Sequence, residues 1–178
     1  GQVISTVLGE SLIHHHIGQP LDGTQVSLSD SFQLLIQTPT LATHYIQNGV
    51  SQLLPTSNGW FETNDIASID QNGCISIHGR QDHQFNSGGE LISPEFIERV
   101  LQSSGLIEYV IVIPKQDDHL GFIPIAFIHS MDRLEEIRLF SEQQLPRYMQ
   151  PKAWFPWPKY IHFSNKASRR QIQSYFNS

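Results

Sequence analysis

Cysteine occurs once in 178 residues, at Cys74, so no internal disulfide is available and a disulfide-built scaffold is excluded. Charge is scarce too: 16% of residues are charged, and 11 basic against 17 acidic side chains leave a mild −6. A nucleic-acid groove needs clustered positive charge, and this balance argues against one. No apolar run approaches the roughly 18 residues of a membrane-spanning helix, and no basic-then-apolar segment opens the chain. Repeats and low-complexity tracts are lacking as well. These absences predict a soluble cytoplasmic chain of one or two domains, with no nucleic-acid partner and no membrane span.

What is present changes character near the middle. Residues 1–80 are rich in short strands and turns. Val26 and Leu28 alternate with polar neighbours, Phe32 to Gln37 form a compact apolar run, and Asp70-Gln71-Asn72-Gly73 reads as a hairpin turn between Ile66–Ile69 and Cys74–His78. Beyond that point helices and strands mix. Ser93, Pro94 and Glu95 form a helix start, with a hydroxyl cap, a first-turn proline and an acid on the positive dipole end. Phe96, Ile97, Val100 and Leu101 then share a face, and Gly105 marks the stop. Ile107–Pro114 and Phe122–His129 read as buried strands, Met131–Leu145 as an amphipathic helix, Ala153–Phe163 as an extended aromatic segment and Ser168–Phe176 as a last helix. The expectation is an α+β fold: a β-rich region over 1–80, then a small α+β domain over 81–178 with a mixed sheet and flanking helices.

Three stretches stand out across that boundary: Gly59-Trp60-Phe61-Glu62-Thr63-Asn64-Asp65, Gly79-Arg80-Gln81-Asp82 and Ser87-Gly88-Gly89-Glu90 leading into Leu91-Ile92-Ser93-Pro94-Glu95-Phe96-Ile97-Glu98. Together with Leu145-Pro146-Arg147-Tyr148 and Asn165-Lys166-Ala167-Ser168-Arg169-Arg170, they resemble the adenylate-forming acyl-CoA ligase superfamily along nearly the whole chain. The short Ser-Gly-Gly-Glu loop and the compact tail are most similar to its o-succinylbenzoate–CoA ligase branch, of menaquinone biosynthesis. The resemblance implies that residues 1–80 are the β-rich end of a large N-terminal domain and that 81–178 are a mobile C-terminal domain. It also implies that the phosphate-binding loop lies upstream of Gly1, so that this stretch alone is expected to be inactive.

The same resemblance suggests roles. Family members join a carboxylate to AMP at the expense of ATP, then pass the acyl group to the thiol of coenzyme A. Lys166 matches the family's adenylation lysine, a mobile cation for carboxylate and phosphate oxygens. Asp65 matches the ribose-binding aspartate and Arg80 a cation of the nucleotide region, whereas Asp82 matches the hinge on which the small domain rotates. Ser87, Gly88 and Gly89 match the loop beside the coenzyme A arm, where missing Cβ atoms and backbone N–H groups suit a thin ligand. Two positions depart from the pattern: Asn64 and Asn165 stand where the family usually has glycine.

Plainer readings stay open beside these. Asp65 also suits a hairpin turn, Arg80 a linker cation paired with Asp82 or Asp65, Gly88-Gly89 an ordinary turn, and Arg169 and Arg170 either a phosphate contact or a solvated helix face. Trp154, Phe155, Trp157, Tyr160 and Phe163 suit core or interface packing. His14-His15-His16 cannot all face one ion and have no Cys or acid at useful spacing, so no metal site is expected in the chain. Magnesium would accompany ATP, held mainly by phosphates and by upstream residues. Other acyl or aryl ligases, and a non-catalytic nucleotide- or partner-binding module, remain the rivals. A homo-oligomer is left open.

Overall fold

In the computed structural model, which describes residues 4–5, 16–161 and 167–176, the chain divides between Asp82 and His83 into two units. The first carries β1 (Ile4–Ser5), β2 (His16–Pro20), β3 (Gln25–Leu28), β4 (Gln33–Gln37), β5 (His44–Gln47), β6 (Val50–Leu53), β7 (Phe61–Ile69) and β8 (Ile75–Arg80). Six of them form one sheet in the order β1-β2-β8-β7-β4-β3, with every neighbouring pair antiparallel. Its core is thin: Leu34, Ile36, Ala67 and Ile75 are buried, with Val26, Leu28, Ile69 and Ile77 packed around them. The expected hairpin is present between β7 and β8. Asp70 closes it by accepting at Oδ1 from the backbone N–H groups of Asn72 and Cys74, at 2.8 and 2.9 Å.

β5 and β6 form a separate hairpin that the apolar patterning does not announce, since Ile46, Val50 and Leu53 are all exposed. Its signal is the Asn48-Gly49 pair, with φ of 51° and 78°, the mirror-image turn that matches strand twist.

The second unit contains β9 (Phe85–Ser87), β10 (Glu90–Ile92), α1 (Pro94–Ser103), β11 (Val110–Asp117), β12 (Gly121–Ile128), α2 (Leu134–Gln144), β13 (Ala153–Pro156) and α3 (Ala167–Phe176). The sheet runs β10-β9-β12-β11, and β13 adds to β12 in parallel. Its central strands are apolar at successive positions because both faces are covered. Val110, Val112, Ala126 and Ile128 join Ile97, Leu101 and Ile137 from α1 and α2, whereas Ile111, Ile113, Ile125 and Phe127 join Ile172 from α3. The fold is thus α+β with mixed strand directions, as expected.

Boundaries shift for local reasons. β11 continues past Pro114 because Pro114 lies opposite Pro124, so both missing N–H donors fall on one rung. α2 starts at Leu134, after a turn in which Ser130 Oγ donates to Asp132, and it ends where Leu145 turns extended before Pro146. The Ser93 hydroxyl, expected to cap α1, makes no capping hydrogen bond, although its backbone has the extended N-cap conformation. Phe155 and Trp157 pack in the core and Tyr160 lies outside, edge-on to Tyr175. Phe163, His14 and His15 lie outside the described residues. No helix among the described residues is long and apolar enough to cross a membrane.

Candidate functional site

Asp65 and Arg80 are partners across the β7–β8 ladder, which brings this carboxylate and this guanidinium to one side of the hairpin's end. Arg80 Nη1 donates to Asp65 Oδ1 at 3.0 Å. The rest of its fork closes on Asp82, with Nε to Oδ1 at 2.8 Å and Nη2 to Oδ2 at 3.0 Å. Two-point contact of this kind is the geometry for which a guanidinium is suited. Hydrogen bonding to Asp82, more than any other influence, raises the Arg80 pKa above its ordinary value. The plainer pairing of Arg80 with its neighbouring acids is therefore what the structure displays. The side chains remain accessible at 37% for Arg80, 31% for Asp65 and 44% for Asp82, so a ligand can reach all three.

Asn64 explains its own departure from glycine. Its φ is 63°, in the left-handed region, where asparagine is the next most tolerant residue after glycine. Asp65 itself is steadied from β7: its N–H donates to Thr63 Oγ1 at 3.1 Å, and that hydroxyl donates to the Leu34 carbonyl at 2.9 Å. A cleft of about 590 Å³ opens along the same strand, between Glu62, Asn64, Leu35 and the Pro55–Trp60 segment. Thr63 and the buried Gln33 of β4 are contributors that the sequence reading passed over. A polar residue inside the apolar run 32–37 was the available signal for Gln33.

In the second unit, Ser87, Gly88 and Gly89 form the turn of the β9–β10 hairpin, with φ of 59° and 93° at the two glycines. Ser87 is buried opposite Gly121, and the Gly88 N–H donates to the Leu120 carbonyl at 2.9 Å. A Cβ on Gly88 would lie 2.9 Å from Leu120 Cδ2, whereas one on Gly89 would meet open space. Ordinary turn chemistry accounts for both glycines, and only Gly89 has room beside its Cα for a ligand.

Lys166 lies outside the described residues, immediately before α3. Three residues on, Arg169 is neither a phosphate contact nor part of a solvated face. It is 8% exposed, donates to Glu98 at 2.9 Å and to the Val112 carbonyl, and forms an ion pair with Glu95 at 3.3 Å. Glu98 also accepts from the Val112 N–H at 2.6 Å, and Glu95 meets His83 Nδ1. Burial pushes the Glu98 carboxyl up to about 7, against the pull of Arg169 and of that N–H. The cluster ties α1, β11 and α3 together. Among the described residues no group of three or more His, Cys, Asp or Glu is placed to hold a metal ion.

Comparison with known proteins gives a consistent picture. No family model matches the chain. The 2-succinylbenzoate–CoA ligase of Haemophilus influenzae is 33% identical over 163 residues, 88% of this chain and 35% of its own length. That of Salmonella typhimurium is 30% identical over 162 residues, 89% of this chain and again 35% of its own length. E. coli MenE bound to an m-phenylether-linked analogue of OSB-AMS superposes with a TM-score of 0.71 at 29% identity, over 90% of this chain and 36% of that one. At 21% identity, the o-succinylbenzoate coenzyme A synthetase of Bacillus subtilis in complex with ATP and magnesium shares the fold, with a TM-score of 0.69 over 97% of this chain and 39% of that one. The chain spans about a third of the length of the curated relatives it matches.

Proposed function

We propose, from the chain's homology to the C-terminal part of 2-succinylbenzoate–CoA ligases, that it supplies the last third of an ATP-dependent acid–thiol ligase. The observation that carries this is the in-register pairing of Asp65 with Arg80, a carboxylate and a guanidinium set side by side by the ladder and open to solvent. Asp65 accepts from the ribose diol of the nucleotide, where an ionised acceptor makes the stronger hydrogen bond. Arg80 faces the ribose and phosphate edge. ATP enters with Mg²⁺, which its phosphates and residues outside this chain hold.

In the first half-reaction an oxygen of the acid attacks the α-phosphorus of ATP, and the bond to pyrophosphate breaks. Lys166 neutralises the two approaching oxyanions. In the second, the thiol of coenzyme A loses its proton and attacks the acyl carbon, and AMP leaves with the bonding pair. Residues 1–80 serve as the end of the large domain and residues 81–178 as the mobile one, which turns about Asp82 between the steps. Gly89 lies open to the coenzyme A arm beside the Ser87-Gly88 turn. The acid is o-succinylbenzoate, the enzyme works in the cytoplasm, and this stretch alone is inactive.

Measuring the half-reactions separately in the complete enzyme tests these roles. Lys166→Ala lowers adenylate formation by about 100-fold or more, and leaves thioester formation from preformed acyl-adenylate largely intact. Asp82→Pro, which fixes φ at the hinge, suppresses one half-reaction and spares the other. Equal loss of both steps in both variants contradicts the assignment.

A further inference from the structure

Gln33 interrupts the apolar run of β4, yet it is only 5% exposed. A buried primary amide is costly unless its groups are matched, and here they are. Its Oε1 accepts from Ser31 Oγ at 3.2 Å, while its Nε2 donates to Asn64 Oδ1 at 3.5 Å and to Gln81 Oε1. Those two acceptors belong to the residue before Asp65 and the residue after Arg80. One side chain therefore ties together the two residues that flank the ion pair in sequence.

The backbone at this point needs such a tie. Pairing of β4 with β7 slips between Gln33 and Leu35, and pairing of β7 with β8 slips between Ile66 and Ala67. Asn64 has left-handed φ of 63°, and Phe32, beside Gln33, has φ of 60°. Irregular register on both flanks of β7 means that regular ladder bonds do not by themselves fix where the Asp65 carboxylate stands. The 29–33 loop is in turn anchored: Ser29 N–H donates to the Gln33 carbonyl at 2.9 Å, and Gln33 N–H donates to Ser29 Oγ at 3.1 Å.

We infer that Gln33 is a positioning residue for nucleotide recognition: it holds Asp65 and Arg80 at the spacing a ribose diol meets, without touching the nucleotide. This rests on the reading of Asp65 and Arg80 as nucleotide contacts. Specificity for a hydroxyl is strong where the site is built to hydrogen-bond it, and displacing the acceptor erodes that specificity first.

The test compares ATP with 2′-deoxy-ATP and 3′-deoxy-ATP in pyrophosphate release by the complete ligase. Gln33→Leu lowers the preference for ATP over the deoxy analogues by about tenfold, and raises KM for ATP with KM for the acid unchanged. Gln33→Glu retains most of the preference, since the Asn64 and Gln81 amides can turn their N–H groups toward it. Gln81→Ala, at an exposed position, removes one tie without opening a cavity and lowers the preference by about threefold. A proportionate fall with all three nucleotides in Gln33→Leu, with no change of preference in Gln81→Ala, overturns the inference. Asp65→Asn separates the two levels. If it leaves the ribose preference intact, the underlying assignment of Asp65 fails; if it removes a preference that the Gln33 and Gln81 variants keep, only the positioning role fails.

Discussion

Glu98 carries a testable consequence at the scale of single residues. Its folded-state pKa, about 7 against an ordinary 4.5, means that the folded chain holds a proton more tightly than the unfolded one. The stabilisation from that tighter hold is complete below pH 4.5 and is lost as pH rises to about 7. The stability difference between the wild-type chain and Glu98→Gln therefore shifts against the wild type across this window, by at most about 3 kcal/mol. Urea unfolding on either side of the window reads this; a difference that does not move with pH contradicts it. Much at this scale was legible beforehand. The family resemblance singles out Asp65 and Arg80, and the ladder sets them side by side. Arg169 was not legible, because its partner Glu98 lies 71 positions away and nothing local marks a buried guanidinium. Asn64 was read as a departure from glycine, and its positive φ supplies the reason.

Among elements, the β9–β10 turn shows how an ordinary structural need and a proposed ligand site share three residues. Its left-handed backbone at Gly88 predicts that Gly88→Ala costs roughly 1–2 kcal/mol, and that Gly88→Asn costs less because asparagine tolerates that conformation. Thermal or urea unfolding ranks the two; the reverse order would mean that φ is not what requires glycine there. Element types were readable where burial imposes a period. The two-sided burial of β11 and β12 gives unbroken apolar runs, and α1 and α2 show one-sided stripes. Boundaries were less readable, since Pro114 suggested an end where the opposed Pro124 lets the ladder continue. The β5–β6 hairpin left no apolar period to read because its side chains are exposed, and its Asn48-Gly49 turn, passed over in the sequence reading, was the signal available.

For the molecule as a whole, the two units differ in how much core they bury. The second wraps its central strands in helices on both faces, with Val112, Ile113, Ile125 and Ile128 fully buried. Among the described residues, the first buries four apolar side chains and leaves Phe32, Ile46 and Leu53 between 64% and 79% exposed. A thin core of this kind accords with a region that completes a larger domain, as the proposal holds. The central claim is tested most directly by AMP release coupled to thioester formation, with the complete enzyme offered o-succinylbenzoate and a fatty acid in parallel, and this chain alone as control. The account predicts AMP and CoA thioester in equal amounts with o-succinylbenzoate, little with the fatty acid and none from the isolated chain. Turnover of the fatty acid in preference to o-succinylbenzoate, or ligase activity from the chain alone, would contradict it.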